Sequence, residues 1–540
     1  MRPISDSGSS TSSRRGTGRA GALAAALAVI VPAMIAGTAG PAAAATGSLA
    51  VTMLDRDGQP VTNTVSAVPL DTPGAAARQL TSGTVAALTP GQYALLTSSY
   101  DGDPVLVTLG GRIVTVTGGA TTAVTIDARQ GRELKIATDS GAGDSGPTYA
   151  QAIAARVCVD GRNTDDHAMS NAERGRVFVI PNADPRTQLG YVSNWAPGTD
   201  TGGDAYAAAG TVPLTGDPIT VPIASTGSVV AKVLRGPSAQ DEEYAVVLPR
   251  PQGSGCELNL HAPPIGVYIP YQRTTHATAG VWEFSHDSPN DYWRAPVTVT
   301  AGSTTSLEFG RAVWGPARYL PWVQGGQIGF DTSGMVADPL IPGGDNTINA
   351  TATLYRDGKA VATKSGLGTS PSVKGPKAFT APITASAAYT LKVHGFRHAD
   401  GESQPAGMMS TATDAAFSFH AGPTSNAVPP AFLTRFLPSG LDLYNRTQAG
   451  HATPIPLTLD RTSTRTGVPL WPATVQKVEV FASTDGGRSW HPLTVTRTAG
   501  AWATTLPAQA AGTEISLSAR VTDTGGNQTV STVYRAFITD

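Results

Sequence analysis

Charged residues are scarce in this sequence, and the lysines and arginines after residue 45 form no basic cluster. They make up 14% of the 540 residues, and 38 basic against 40 acidic side chains leave a formal net charge of -2. No cluster of lysine and arginine interleaved with aromatic residues is present there, which argues against nucleic acid as a partner. No second long apolar run occurs either, so we expect no transmembrane segment in the mature chain.

Residues 1–45 have the pattern of a secretory signal peptide. Arg14, Arg15 and Arg19 precede the apolar run AGALAAALAVIVPAMIAG, which ends in the small-residue stretch PAAAATG. This order predicts cleavage near Ala44 or Ala45 and a secreted, extracellular protein. We favour the general secretory route, with twin-arginine export as the alternative, because the bulky apolar residues that should follow two such arginines are missing.

Cysteine is almost absent, since the chain holds Cys158 and Cys256 and no other. Neither has a second cysteine or a histidine at the spacing of a metal ligand, which argues against a zinc site. Both would be exported to an oxidising environment. We therefore predict a disulfide between them, with two unpaired buried thiols as the alternative.

The composition favours strands over helices. The chain contains 60 glycines and 41 prolines, together with many threonine, serine, valine and alanine residues, as is typical of strands joined by turns. We predict an all-β protein made of tandem β-sandwich domains.

Turn signals and alternating apolar runs divide the mature chain into four predicted units. We place a small β-sandwich at 46–130, a larger β-rich domain with both cysteines at 131–315, a third sandwich at 316–425 and a last one at 426–540. Asp-Gly dipeptides, which suit tight hairpin turns, mark the first, third and fourth units.

Motifs in the first and last units resemble accessory regions of a known family. The order VTMLDRDGQPV, LTPGQYAL and TTAVTIDARQGRELKI resembles carboxypeptidase-regulatory, transthyretin-like domains. TDGGRSW, GAWATTLP and RVTDTGGN resemble the immunoglobulin-like or fibronectin-III-like domain that ends secreted subtilisin-like serine peptidases of actinobacterial type. The resemblance implies β-sandwich folds and, by analogy, a binding role, but it does not include the peptidase domain.

Catalytic motifs are incomplete throughout the sequence. GDSGP at 143–147 lacks the further glycine of a chymotrypsin-like nucleophile segment, and no matching histidine segment exists. The histidine and serine segments of subtilisins are also missing. STDGGRSW at 483–490 fits one Asp-box, whereas sialidase-type propellers repeat this hairpin at a fixed period. We expect Asp485, Gly487 and Trp490 to shape a turn, and we assign no catalytic residue.

One segment concentrates aromatic residues in a chain that is only 6% aromatic. GVWEFSHDSPNDYWRAP gathers Trp282, Phe284, Tyr292 and Trp293 around a turn. Exposed rings can stack on sugar faces or receive an apolar protein partner, whereas buried rings seal a junction. We treat these four residues as a hypothetical ligand-binding cluster and keep burial, which the nearby prolines favour, as the alternative.

Metal-ligating patterns are weak. His394 and His398, with Asp400, are the best-spaced candidates, but their position at the end of a predicted strand favours surface histidines. The Asp-rich stretches DGRNTDDHAMSN and GTDTGGDAY carry oxygen donors without the spacing of an EF-hand. We assign no metal site and expect no cofactor, with calcium as an open alternative.

These features predict a secreted, non-catalytic, multidomain protein that binds extracellular ligands, either cell-wall glycan or another secreted protein. The first alternative is a divergent extracellular hydrolase, either a glycosidase with 131–315 as its catalytic domain or a relative of subtilisin-like peptidases. The second alternative is a structural surface spacer that has no ligand.

Overall fold

The computed structural model describes residues 45–540, with gaps at 73, 103–104, 140–148, 162–167, 172–174, 198–202, 235–242, 254, 258, 261, 263–264, 288–291, 341–348, 369–375, 398–407 and 462–466. The predicted signal peptide, 1–45, lies outside these residues except for Ala45. The structure is 62% strand and 2% helical. In the described part, the helices are single-turn 3-10 helices at Ala128–Gln130, Ile223–Ser225 and Thr332–Gly334. The predicted all-β class is confirmed.

The first sandwich has eight strands. They are β1 (Gly47–Leu54), β2 (Pro60–Val61), β3 (Thr64–Pro69), β4 (Arg78–Thr81), β5 (Val85–Leu88), β6 (Gly91–Asp101), β7 (Val105–Val116) and β8 (Thr121–Asp127). Strands β1, β2, β5 and β8 form one sheet, and β3, β4, β6 and β7 lie in the other. Residues from both sheets, such as Val51 and Leu95, fill the core between them. The predicted hairpin at Asp57 and Gly58 is confirmed, because β1 and β2 pair antiparallel on either side of it.

The next region adds fifteen strands. They are β9 (Arg132–Glu133), β10 (Ile136–Thr138), β11 (Tyr149–Val159), β12 (Ala168–Asn171), β13 (Gly175–Val179), β14 (Thr187–Pro197), β15 (Ala205–Pro213), β16 (Ile219–Val221), β17 (Thr226–Val233), β18 (Glu243–Pro251), β19 (Ile265–Ile269), β20 (Tyr271–Thr278), β21 (Gly280–Asp287), β22 (Tyr292–Val299) and β23 (Thr304–Phe309). Strand β13 pairs parallel with β7, so a sheet of the first sandwich continues into this region. The face of that sheet that points away from the core of the first sandwich packs on β11 and β14 through Leu109, Val157 and Trp195.

A seven-stranded sheet in the order β12-β11-β14-β15-β20-β17-β23 runs through this region. The end that contains β17 and β20 packs against a second sheet, β19-β18-β21-β22. Val229, Val233, Trp282 and Phe284 lie in the core between the two sheets. The region therefore has a core between its own two sheets and shares another core with the first sandwich.

Cys158 and Cys256 form a disulfide across 98 residues of sequence, which confirms the predicted pair. Cys158 lies in β11, Cys256 lies between β18 and β19, and both are buried. Gly190 in β14 permits the close approach of the chain around Cys256, because a Cβ atom at this glycine would collide with the Cys256 backbone. The disulfide thus holds this connection against the seven-stranded sheet.

The third sandwich has seven strands. They are β24 (Trp322–Gln324), β25 (Gln327–Asp331), β26 (Asn349–Arg356), β27 (Lys359–Gly368), β28 (Ala378–Pro382), β29 (Ala387–Phe396) and β30 (Ala412–Ala421). The predicted hairpin at 356–358 is confirmed. Its turn residues Asp357 and Gly358 have φ angles of 48° and 78°. Both lie in the left-handed region, as a tight hairpin turn requires. Phe330 and Phe417 pack in the core.

The fourth sandwich has nine strands. They are β31 (Leu433–Phe436), β32 (Arg446–Thr447), β33 (Thr453–Asp460), β34 (Val475–Ser483), β35 (His491–Leu493), β36 (Val495–Thr498), β37 (Ala501–Leu506), β38 (Glu514–Asp523) and β39 (Gln528–Thr539). Strand β39 pairs antiparallel with β30. One sheet in the order β27-β26-β29-β30-β39-β38-β34-β35 therefore belongs to both the third and the fourth sandwich. The opposite sheet of the fourth sandwich is β31-β33-β37-β36.

Two buried polar side chains hold the segment that follows β23 and leads into the third and fourth sandwiches. Asp338 accepts a hydrogen bond from Gly310 N at 2.9 Å. Asn445 accepts one from Ala312 N at 2.8 Å and donates one to Gly310 O at 2.7 Å. Both side chains are fully buried, where a polar group without its partner costs ~1–3 kcal/mol. The bonds hold the connection in one place.

Replacing both cysteines, Cys158→Ala with Cys256→Ala, is expected to lower the free energy of unfolding by ~3–5 kcal/mol, because the open chain regains the entropy that a long closed loop removes. Urea unfolding of the mature chain, followed by circular dichroism, measures the change. The double variant and the reduced wild-type chain should unfold at the same, lower urea concentration. An unchanged midpoint would show that the disulfide does not stabilise the fold.

Candidate functional site

The structure describes two of the four side chains in the predicted aromatic cluster, and both are buried. Trp282 and Phe284 are each 1% exposed, and Trp282 Nε1 donates a hydrogen bond to Thr278 O at 2.7 Å. Rings inside a core have no free face for a sugar. Tyr292 and Trp293 lie in β22, but their side chains are outside the described part of the chain. A ligand-binding role stays a prediction for these two residues.

The single Asp-box hairpin is organised around one carboxylate. Asp485 accepts hydrogen bonds from Ser483 Oγ at 2.7 Å, Arg488 N at 3.0 Å and Ser489 N at 2.9 Å. Ser489 Oγ also donates to it at 2.5 Å. The hydrogen bonds from Ser489, with that from Ser483, hold the pKa of Asp485 well below its usual range. Asp485 has the structural role in the turn that the sequence predicts.

The glycine of this turn lies directly against two aromatic rings. Gly487 has a φ of 87°, and a Cβ atom there would lie 2.6 Å from Tyr534 and 3.4 Å from Trp490. The two ring centroids are 6.3 Å apart with an edge-on angle of 65°. The turn therefore brings Trp490 from the end of the hairpin to Tyr534 in β39.

These rings form part of a recess of about 220 Å³, which we call the aromatic recess. It is lined by Phe481, Trp490, Ser518, Arg520, Val530, Thr532 and Tyr534. Phe481, Trp490 and Tyr534 are half-buried, and Arg520 is exposed. Ser518 Oγ and Thr532 Oγ1 are hydrogen-bonded to each other at 2.8 Å. The recess is smaller than most small-molecule sites, which measure ~300–1,000 Å³, so it suits a group the size of one ring.

The register of the shared sheet places the recess beside residues of the third sandwich. Phe481 lies opposite Ser518, and Ser518 lies opposite Thr532. Thr532 lies opposite Asp414 of β30, which lies opposite His394 of β29. Directly paired residues point to the same face of a sheet. The recess and these two titratable residues therefore share the outer face.

Asp414 connects the recess to the third sandwich. Tyr534 Oη donates a hydrogen bond to Asp414 Oδ2 at 2.7 Å, and His394 Nδ1 lies 2.7 Å from Asp414 Oδ1. Burial raises the pKa of Asp414, but the hydrogen bonds from His394 and Tyr534 outweigh this effect and lower it. The hydrogen bond to Asp414 raises the pKa of His394. An ionised Asp414 thus fixes the position of the Tyr534 ring.

A second polar constellation lies on the seven-stranded sheet. Ser228 Oγ is 3.2 Å from His276 Nδ1, and His276 Nε2 is 2.9 Å from Asp204 Oδ2. The His276 ring stacks on Tyr206 with centroids 5.1 Å apart. Serine, histidine and aspartate in one hydrogen-bonded chain are the components of a hydrolase triad. However, Ser228 N donates to Ser303 O at 2.8 Å, so this amide is not free to stabilise an oxyanion.

The described residues contain neither a metal-ligating cluster nor a membrane-spanning helix. No group of three or more histidine, cysteine, aspartate or glutamate side chains among them is placed to hold a metal ion. His398 and Asp400 of the predicted metal pattern, and much of both Asp-rich stretches, lie outside the described part. None of the described helices has the length and apolar character needed to cross a membrane.

The Asp-box pattern marks Trp490, but no sequence pattern predicts the rest of the aromatic recess or the Ser228 constellation. Arg520 and Tyr534 lie on the two consecutive strands β38 and β39, whereas Asp414 lies in β30, far earlier in the sequence. No spacing rule connects Asp414 with the other two, because only the pairing of β30 with β39 brings it to them. The only local signal was the aromatic residue that ends the Asp-box.

No protein-family model matches the chain, and no curated protein matches it. Among solved structures, the chain is similar to the FN1–FN3 domains of chicken CNTN1, with 10% identity, a TM-score of 0.12, and coverage of 55% of this chain and 90% of that chain. It is also similar to alpha-2-macroglobulin of Escherichia coli. The native form gives 10% identity and a TM-score of 0.15 over 92% of this chain and 40% of that chain. The trypsin-activated form gives 10% identity and a TM-score of 0.14 over 92% and 42%. At these TM-scores the likenesses decide neither fold nor function.

The pair of His394 and Asp414 is expected to make stability depend on pH. The folded-state pKa of His394 lies above its ordinary value of 6.5. Its stabilisation is therefore complete below that value and is lost as the pH rises through the folded-state pKa. The contribution of Asp414 is present above 3.8 and is lost as the pH falls through its lowered pKa.

Urea midpoints at about pH 6 and about pH 8.5 test this expectation. The wild-type midpoint should fall between the two pH values by more than that of His394→Gln. His420→Gln, which alters an exposed histidine of β30, is the control and should behave like the wild type. Equal pH dependence in all three proteins would contradict the expectation.

Proposed function

We propose that the protein is a secreted, non-catalytic, multidomain protein that binds an extracellular glycan in the aromatic recess. The observation that carries the proposal is the grouping of Phe481, Trp490 and Tyr534 around a pair of hydroxyl groups. Half-buried rings offer apolar faces on which a sugar ring can stack, and hydroxyl groups offer hydrogen bonds to its edge. Secretion rests on the signal pattern at 1–45.

A glycan suits the recess better than a secreted protein does. The recess has room for a single ring-sized group, whereas a stable protein interface buries ~800 Å² on each partner. The hydrogen bond from Tyr534 to Asp414 keeps one wall in place before a ligand arrives. Binding to such a prepared wall loses less conformational entropy.

The sequence resemblance is compatible with this role. We propose that the chain is related to the accessory regions of secreted subtilisin-like peptidases, without the peptidase domain. In this proposal the β-sandwiches position the recess at a cell surface or an insoluble polysaccharide. The motif TDGGRSW supports both the resemblance and the recess, because its last residue is Trp490.

The change Trp490→Ala is expected to weaken glycan binding by at least ~10-fold, which corresponds to ~1.4 kcal/mol, because it removes one wall of the recess. The mature chain is incubated with washed cell walls and with insoluble polysaccharides, and its saturable partition into the pellet is measured. Trp502→Ala is the control, since Trp502 lies in β37 of the opposite sheet. Equal pelleting of all three proteins would contradict a role for the recess.

A hydrolase is the second candidate function, and the chain of Ser228, His276 and Asp204 favours it. If the protein only binds, the wild type and Ser228→Ala should release p-nitrophenol from p-nitrophenyl acetate at the same background rate. Neither protein should react with a fluorophosphonate probe that labels activated serines. Labelling of the wild type that Ser228→Ala abolishes would overturn the non-catalytic assignment.

A further inference from the structure

Arg520 gives the aromatic recess a positive charge that the described part of the protein does not neutralise. It is exposed and lines the recess, and its guanidinium makes no hydrogen bond or ion pair with a described residue. The carboxylate closest to it in register is Glu479, directly opposite on β34. Glu479 is bonded to Lys477 Nζ at 2.8 Å. The five donors of Arg520 therefore remain available to a ligand.

A second carboxylate on this face, Asp414, is also occupied. It accepts a hydrogen bond from Tyr534 and lies in contact with His394. A free carboxylate beside the recess would compete with an anionic ligand for Arg520. Because both carboxylates already have donors, neither is left to compete with a ligand for Arg520.

A second cation lies farther along the row of directly paired residues that crosses the strands at Arg520. Arg520 is opposite Val530, Val530 is opposite Ala416, and Ala416 is opposite Lys392. Lys392 is exposed, and it lies three strands from Arg520, a distance of about 14 Å at the usual strand spacing. Glu479 lies in the same row and is paired with Lys477, so the row keeps a net positive charge although the whole chain has a net charge of -2.

Resting on the function proposed above, we propose that the aromatic recess binds an acidic glycan, with Arg520 bound to the carboxylate of a uronic acid unit. A carboxylate attached to a sugar ring lies at the ring edge. When the ring stacks on Trp490 or Tyr534, its edge faces the part of the recess that Arg520 lines. Arginine binds carboxylates through two parallel hydrogen bonds. A polymer that crosses the strands would place the carboxylate of another uronic acid unit near Lys392.

The test compares polyuronates with neutral polymers of the same linkage. Affinity is measured for polygalacturonate, alginate and hyaluronate, and for the carboxyl-reduced form of each. The wild type should bind at least one polyuronate at least ~10-fold more tightly than its reduced form, as expected for a charge-assisted bidentate contact. Added salt should weaken the polyuronate complex more than the reduced one.

Three variants test whether Arg520 causes the preference for the polyuronate over its reduced form. Arg520→Gln should lose most of the preference and keep only the part that Lys392 supplies, with affinity for the reduced form unchanged. Arg520→Lys should recover part of the preference, because lysine keeps the charge without the planar fork. Arg497→Gln is the control and should keep the full preference, since Arg497 lies in β36 of the opposite sheet and stacks on Trp502.

The outcomes separate this inference from the proposed function. Equal binding of both polymer forms by the wild type, lost in Trp490→Ala, would overturn the acidic preference and support glycan binding. A preference of undiminished size in Arg520→Gln would overturn the role of Arg520. Binding of no polymer in either form would overturn both proposals.

Discussion

The backbone pairing between β30 and β39 determines how the second half of the molecule is organised. Its hydrogen bonds extend along β30 from Ala412 to Ser418, so the third and fourth sandwiches cannot rotate against each other without breaking a ladder of backbone bonds. Asp338 and Asn445 add buried hydrogen bonds where the chain enters these two sandwiches. Each of these groups would lose its partner if the junction opened, and buried groups without partners cost ~1–3 kcal/mol each. The two sandwiches therefore behave as one structural unit.

The aromatic recess depends on this unit because its parts come from both sandwiches. Tyr534 belongs to the fourth sandwich, and Asp414, which holds its hydroxyl group, belongs to the third. The ring of Tyr534 is also confined from the other side by Gly487, where any larger residue would collide with it. A ring that is held from two directions loses little freedom when a ligand stacks on it. The junction thus contributes to binding without contacting the ligand.

Features that depend on neighbours in the sequence could be predicted, whereas the pairing of strands from distant segments could not. The hairpin turn at Gly358 and the turn around Asp485 follow from a few adjacent residues, and the disulfide follows from the number of cysteines and the expected compartment. Alternation in a strand shows which residues share a face, but it does not show which face another sheet covers. The sequence therefore left both ligand binding and burial open for Trp282. The contact between Asp414 and Tyr534 joins residues 120 positions apart, and no local pattern in the sequence marks it.

The charges on the outer face also constrain the kind of ligand that it can recognise. At physiological ionic strength the Debye length is ~8 Å, which is shorter than the separation of about 14 Å between Arg520 and Lys392 that three strand spacings give. The two cations therefore act as separate contacts. A small anion would gain from one of them only, and only after reaching the recess, where the aromatic rings supply most of the contact. A polymer with regularly placed carboxylates gains from both, because the fixed geometry of the sheet holds the two cations at a constant distance.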